Sequence, residues 1–358
     1  MTRGSQVARA LKIQAEACTA FGSPFSGALM QSAGEDVEAG GPTAALMAPW
    51  ADAAARALMT DAVPVRLLGA LHDCVLSGDA PTLAEAYPGE GRSGDTEAAW
   101  REARKLIEEI PDRLIEFMGH EPQTNEVRRS ACLIGGFLTV AKETGLPLRC
   151  FEIGASAGLN QLWDRFRYVL GSQATWGAAD ASVLIPTDWH GLPPPVDADV
   201  QVVERAACDR KPVDLADPLA RRRLRAFVWA DQLDRIARLE AAIALAQVEG
   251  ASVERSDAVA WASSRAPPAD GAATILYHSV FWQYMPPESQ AALRAVIKSH
   301  GGAASKSSPF AWVRMEPPPD DLANMELRLT LWPGGDERLL ARVHPHGASV
   351  NWLGAVSN

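Results

Sequence analysis

The chain has 358 residues, of which 47% are hydrophobic and 22% charged, and Lys+Arg 34 against Asp+Glu 44 gives a formal net charge of −10. That length accommodates about two domains, the apolar content excludes a disordered chain, and the acidic balance argues against a nucleic-acid partner held through its phosphates. The five cysteines, Cys18, Cys74, Cys132, Cys150 and Cys208, are odd in number and lack C-x-x-C spacing, so reduced thiols in a cytoplasmic protein are expected.

Residues 1–9 lack the apolar stretch of a secretion signal, and no segment reaches the ~18 to 20 apolar residues of a membrane span. Small-molecule partners are therefore expected, and no membrane. From residue 6 to about 145, apolar positions recur at helical spacing. Val7, Leu11, Ala15 and Cys18 form one stripe. Leu67, Leu68, Leu71 and Val75 form another, stopped by Gly78. A third helix is predicted from Thr96, with Trp100, Ala103 and Ile107 on one face and Pro111 breaking it. A fourth follows Thr124 and Asn125, carries Leu133, Phe137 and Ala141, and stops at Gly145.

After Pro147 the pattern changes to short apolar runs separated by amphipathic helices, the signature of βα units around a parallel sheet. Residues 148–153 form the first strand, and a helix follows from about 158 to 166. Residues 171–199, rich in Gly, Pro and Asp, are expected to be an insertion or active-site loop. A second strand starts at 200, and Asp217 with Pro218 caps and opens a helix. Further strands are predicted at 251–254, 273–280 and 310–315, with a helix over 287–299. The alternation over 325–331, the turn at 333–335 and the return over 339–343 predict an antiparallel hairpin. The expected fold is α/β: a helical N-terminal cap over 1–145, then a mostly parallel, Rossmann-like sheet over 146–358 closed by that hairpin.

The segment from Phe151 to Asn160 joins a buried strand to a helix through small residues only, so a ligand or a nucleophile can approach its backbone closely. Glu152 with Gly154 and Gly158 resembles the E/D-x-G-x-x-x-G opening of Rossmann-like methyltransferases, whose glycine turn lies against S-adenosylmethionine. Gly154, Ser156 and Gly158 also match G-x-S-x-G, the elbow that exposes the serine of α/β-hydrolases; Asp257 and His278, or Asp336 and His344, follow in the order a triad needs. A non-catalytic nucleotide-binding protein is the third reading.

Residues 123–127 (Gln-Thr-Asn-Glu-Val), 152–160 with Trp163 and Asp164, Phe227 to Trp229 with Asp231 and Gln232, and residues 344–347 (His-Pro-His-Gly) together resemble a bacterial family catalogued as domain of unknown function 2332. The likeness spans nearly the whole chain and departs at Ala230 and Gln161, where the family pattern favours Pro and Leu. It implies a Rossmann-like methyltransferase fold behind a helical N-terminal region.

On that reading S-adenosylmethionine is the cofactor, held by Glu152, Gly154, Ala155, Ser156, Gly158 and Asn160. Asp209 ends the second strand and meets the ribose, with Asp231 as the competitor for that place; Asp257 and Ala258 lie at the adenine. His278, at the end of the fourth strand, is the expected general base. Tyr284 lines the acceptor pocket, and Asn125 and Glu126 reach into the cleft. For each residue a plain alternative stands beside this: Asn125 and Glu126 as helix caps, the glycines as turn residues, His278 as a satisfied core histidine. His344 and His346, two apart, are too few to make a metal site.

Overall fold

In the computed structural model the described residues are 5–318 and 324–357; residues 1–4 of the N-terminal stretch lie outside them. The chain forms two units, one from Met1–Thr124 with Ala216–Ala237 and the other from Asn125–Leu215 with Arg238–Asn358.

The first unit is helical. Proline in the first turn, where its missing N–H costs nothing, starts Pro24–Glu38, Val63–Ser77, Pro111–Met118 and Pro218–Ala226. Val63–Ser77 stops at Gly78 in the left-handed conformation, and Thr96–Glu109 ends just before Pro111. Leu11, Leu29, Met30, Leu67, Leu71 and Leu114 are buried together, each worth ~1.5–3 kcal/mol.

Two polar ties hold residues 216–237 onto Val63–Ser77. His72 Nδ1 donates to the carbonyls of Ala226 and Val228 at 3.2 and 3.0 Å, and Arg222 pairs with Asp73 at 2.7 Å. Burial pushes the His72 imidazole down to about 4.

Asp231 belongs to this unit and ends no strand. Its carboxylate accepts from the Ser23 hydroxyl and from the Phe25 amide, the latter at 2.9 Å, and so caps Pro24–Glu38 from a distant part of the chain. The ribose role considered for it is withdrawn, because its acceptors are spent on this helix start.

The second unit carries a mixed sheet: β1 (Leu148–Ile153), β2 (Arg167–Leu170), β3 (Ala174–Trp176), β4 (Leu184–His190), β5 (Val202–Asp209), β6 (Glu254–Arg255), β7 (Ala273–Ser279), β8 (Phe310–Glu316), β9 (Met325–Trp332), β10 (Glu337–Val343) and β11 (Ser349–Ser357). Their order is β3-β2-β4-β11-β10-β9-β8-β7-β1-β5-β6. From β6 to β8 every pairing is parallel, while β8, β9, β10 and β11 pair antiparallel in sequence. The chain winds outward from β1 through β5 to β6, then returns to β7 and β8 on the other side of β1. The order therefore reverses at β1, and in open α/β sheets that switch point opens a crevice at the carboxyl ends of the strands.

Two expectations change here. The helix Ser130–Thr144 packs on β7, β8, β9 and β10, so the boundary expected at 145 falls at 124. Residues 171–199 are not a plain loop, because β3 and β4 lie within them and extend the sheet beyond β11. In β4, Ile185, Thr187 and Trp189 are buried and alternate with outward-facing residues, including Pro186, a residue that reads as a strand breaker.

Asp231→Ala leaves the Phe25 amide without its acceptor, so the helical unit should lose about 1–3 kcal/mol of stability in thermal or urea unfolding. An unchanged transition would show that the cap contributes nothing.

Candidate functional site at the carboxyl end of β1

β1 ends with Glu152 and Ile153, and Gly154 to Gly158 turn the chain into a short 3-10 helix, Leu159–Arg165. Gly154 (φ +67°) and Gly158 (φ +73°) adopt backbone that favours glycine, and between them Ser156 takes φ +56° despite its side chain. The turn is tied to β5. The Ala155 amide donates to the Cys208 carbonyl at 3.1 Å and the Ser156 amide to Asp209 Oδ2 at 2.8 Å. Asp209 Oδ1 accepts from the Lys211 amide at 2.8 Å, and the Val213 amide donates back to the Ser156 carbonyl at 3.0 Å. Asp209 thus ends β5 beside the loop and anchors it, and its side chain remains partly exposed.

The far end of the turn rests on residues 125–126. Asn125, at φ +35°, accepts from the Leu159 amide at 2.9 Å. The Glu126 carbonyl accepts from Asn160 Nδ2 at 3.3 Å, while its carboxylate caps Val127–Arg129 through the Arg128 amide. Both residues are buried, and these bonds make them positioning residues for the loop. Among the described residues the Ser156 hydroxyl and Asn160 Oδ1 belong to the buried side-chain atoms without a hydrogen-bond partner, as do the Thr187 hydroxyl and Trp261 Nε1 elsewhere.

Glu152 is 2% exposed and lies in register with Tyr277 of β7. Burial pushes its carboxyl up to about 8 and nearby Asp209 adds to the rise; the Tyr277 hydroxyl, 3.5 Å away, works against it. The direction of this shift favours the neutral form of the carboxyl.

His278 is fully buried, its Nδ1 meets Glu316 Oε1 at 2.6 Å, and its Nε2 accepts from Trp312 Nε1 at 3.1 Å. Both ring nitrogens are committed, which withdraws the general-base role. Tyr284 is 70% exposed on the one-turn helix Trp282–Tyr284. Asp257 caps Ala258–Arg265 by accepting from the Val259 and Ala260 amides, and Ala258 is buried behind it. The two follow β6 at the same carboxyl edge.

Ser156, Asp257 and His278 are not joined as a triad: the Ser156 hydroxyl has no hydrogen-bond partner, His278 Nδ1 meets Glu316, and Asp257 caps its own helix. Among the described residues no group of three or more His, Cys, Asp or Glu could hold a metal ion. No described helix is long and apolar enough to cross a membrane. All five cysteines are free and buried, and burial lifts the Cys132 and Cys150 thiols to about 12.

Sequence reasoning passed over Val280, Phe281 and Glu316. Val280 takes φ +51°, the Phe281 amide donates to Glu316 Oε1 at 2.9 Å, and the Phe281 ring sits where a side chain on Gly154 would lie. The available signal was an acidic residue closing an apolar strand, Glu316 at the end of β8.

The Glu152 carboxyl gives a test. In the unfolded chain it ionises near its ordinary 4.5, and in the folded chain near 8. Between those values the folded state holds more protons, so stability falls as pH rises, by at most ~1.4 kcal/mol per pH unit. Glu152→Gln, which cannot ionise, should lose this slope in urea unfolding from pH 5 to 8. Parallel profiles for variant and wild type would contradict the assignment.

No curated protein and no solved structure matches the chain. Residues 8–352 match the model of a family described as an uncharacterized protein conserved in bacteria (DUF2332), and on a match of that length the chain belongs to this family.

Proposed function

We propose that the loop from Gly154 to Asn160 seats S-adenosylmethionine and that the chain transfers a methyl group to a small-molecule acceptor. The observation that carries this reading is the placement of a glycine turn with an unpartnered buried hydroxyl, that of Ser156, at the carboxyl end of β1, where the strand order reverses. The parallel order β6-β5-β1-β7-β8, followed by the antiparallel meander β8 to β11, supports this Rossmann-like reading.

The residues fit such a ligand in kind. Ser156 and Asn160 offer unused hydrogen-bonding atoms, and the partly exposed Asp209 carboxylate keeps lone pairs for a diol. Asp257 and Ala258 flank the same edge beyond β6. When bound, the cofactor supplies an electrophilic methyl group. The protein's contribution is to hold the reactants in line, which can supply ~7–11 kcal/mol. His278, held by Glu316 and Trp312, takes no proton in this reading.

Calorimetric titration with S-adenosylmethionine and S-adenosylhomocysteine tests this. Saturable binding is expected, weakened about tenfold in Asp209→Asn, since one good hydrogen-bonding contact is worth about 1.4 kcal/mol. Asp231→Ala should bind like wild type. No heat and no thermal shift with either ligand at ~1 mM, an affinity of only ~4 kcal/mol, would overturn the reading. Binding without transfer to any acceptor would leave a nucleotide-binding protein.

A further inference from the structure

The turn after β7 lies over the glycine loop. Val280 at φ +51° is a β-branched residue in left-handed backbone, a conformation that persists only when its surroundings impose it. Three contacts impose it here. The Val280 amide donates to the Met315 carbonyl at 2.9 Å. The Phe281 amide donates to Glu316 Oε1, the oxygen that also receives His278 Nδ1. Trp312 Nε1 donates to His278 Nε2, which leaves the His278 proton on Nδ1, pointing at Glu316. Held this way, the Phe281 ring presses on the face of Gly154 that has no side chain, and even a methyl group there would collide with it.

We propose that Phe281 is an internal plug of the glycine loop. It fills the space over Gly154 that a ligand needs, and the turn Ser279–Phe281 must swing away before the loop can be occupied. Strain at Val280 favours opening, while the Glu316–His278–Trp312 chain opposes it. His278 and Glu316 are then positioning residues that set the balance between closed and open forms. The proposal rests on the reading of this loop as a ligand seat, and a ligand that binds only the open form has its affinity reduced by the fraction that is open.

Amide exchange and titration with S-adenosylhomocysteine on the full chain test it, using wild type, Phe281→Ala and Val280→Gly. In Phe281→Ala the Ala155 and Ser156 amides should exchange about tenfold faster and the ligand bind about tenfold tighter. In Val280→Gly, where glycine relieves the closed turn, both should shift the opposite way by a few-fold. The Phe151 and Glu152 amides of β1 should be unchanged in all three proteins, which shows that the fold is intact. A role in packing alone would loosen the loop in both variants, and that result overturns the plug, as does equal exchange in all three. If no protein takes up the ligand, the adenosyl reading falls, while the exchange rates still decide whether Phe281 closes the loop.

Discussion

The Asp209 carboxylate, held between the Ser156 and Lys211 amides, is the interaction on which the candidate site depends. A turn of small residues has little side-chain packing to keep its shape, and its left-handed positions at Gly154, Ser156 and Gly158 are not self-sustaining. Hydrogen bonds from a backbone amide to a carboxylate are roughly twice as strong as neutral ones, and Asp209 makes two of them at the end of the strand beside β1. The contacts of Ala155 with Cys208 and of Val213 with Ser156 follow from that docking. Asn125 and Glu126 do the corresponding work at the other end of the turn. Most polar residues near the loop are thus spent on holding it, while the Ser156 hydroxyl and Asn160 Oδ1 are left without a hydrogen-bond partner.

The two acids beside the loop have different surroundings. Asp209 meets amide donors and is partly exposed, whereas Glu152 is buried and meets a phenol at 3.5 Å. Three non-glycine residues in left-handed backbone, Asn125, Ser156 and Val280, occur in segments that meet the same turn, and strain gathered in one place is a feature of sites that bind or move.

Much of this architecture was legible where one pattern dominated. The stripe through Val7, Leu11, Ala15 and Cys18 could only be a helix, and the run from Leu148 to Ile153, followed by small residues, could only be a buried strand entering a turn. Asp217 before Pro218 marked a helix start that the structure has at Pro218–Ala226. Strand β4 was hidden because Pro186 interrupts its alternation among turn-forming neighbours. The commitments of His278 and Asp231 were illegible for another reason. Their partners, Glu316 and Trp312 for one and Ser23 and Phe25 for the other, lie far away in sequence and carry no local mark of the pairing. Sequence offered a histidine at a sheet edge; only the fold spends both of its nitrogens.

The helical unit takes its last piece, Ala216–Ala237, from beyond β5, and this bears on how the chain is made. During synthesis the helices before Thr124 emerge without the segment that supplies carbonyls to His72, a cation to Asp73 and a carboxylate to the start of Pro24–Glu38. At ordinary elongation rates the wait is on the order of ten seconds, long compared with helix formation. Apolar faces around Leu67 and Leu68 remain incompletely covered for that time. Most of the sheet unit is translated later still, so a nascent chain of this protein should depend on chaperones early, before the glycine loop and its strands have formed.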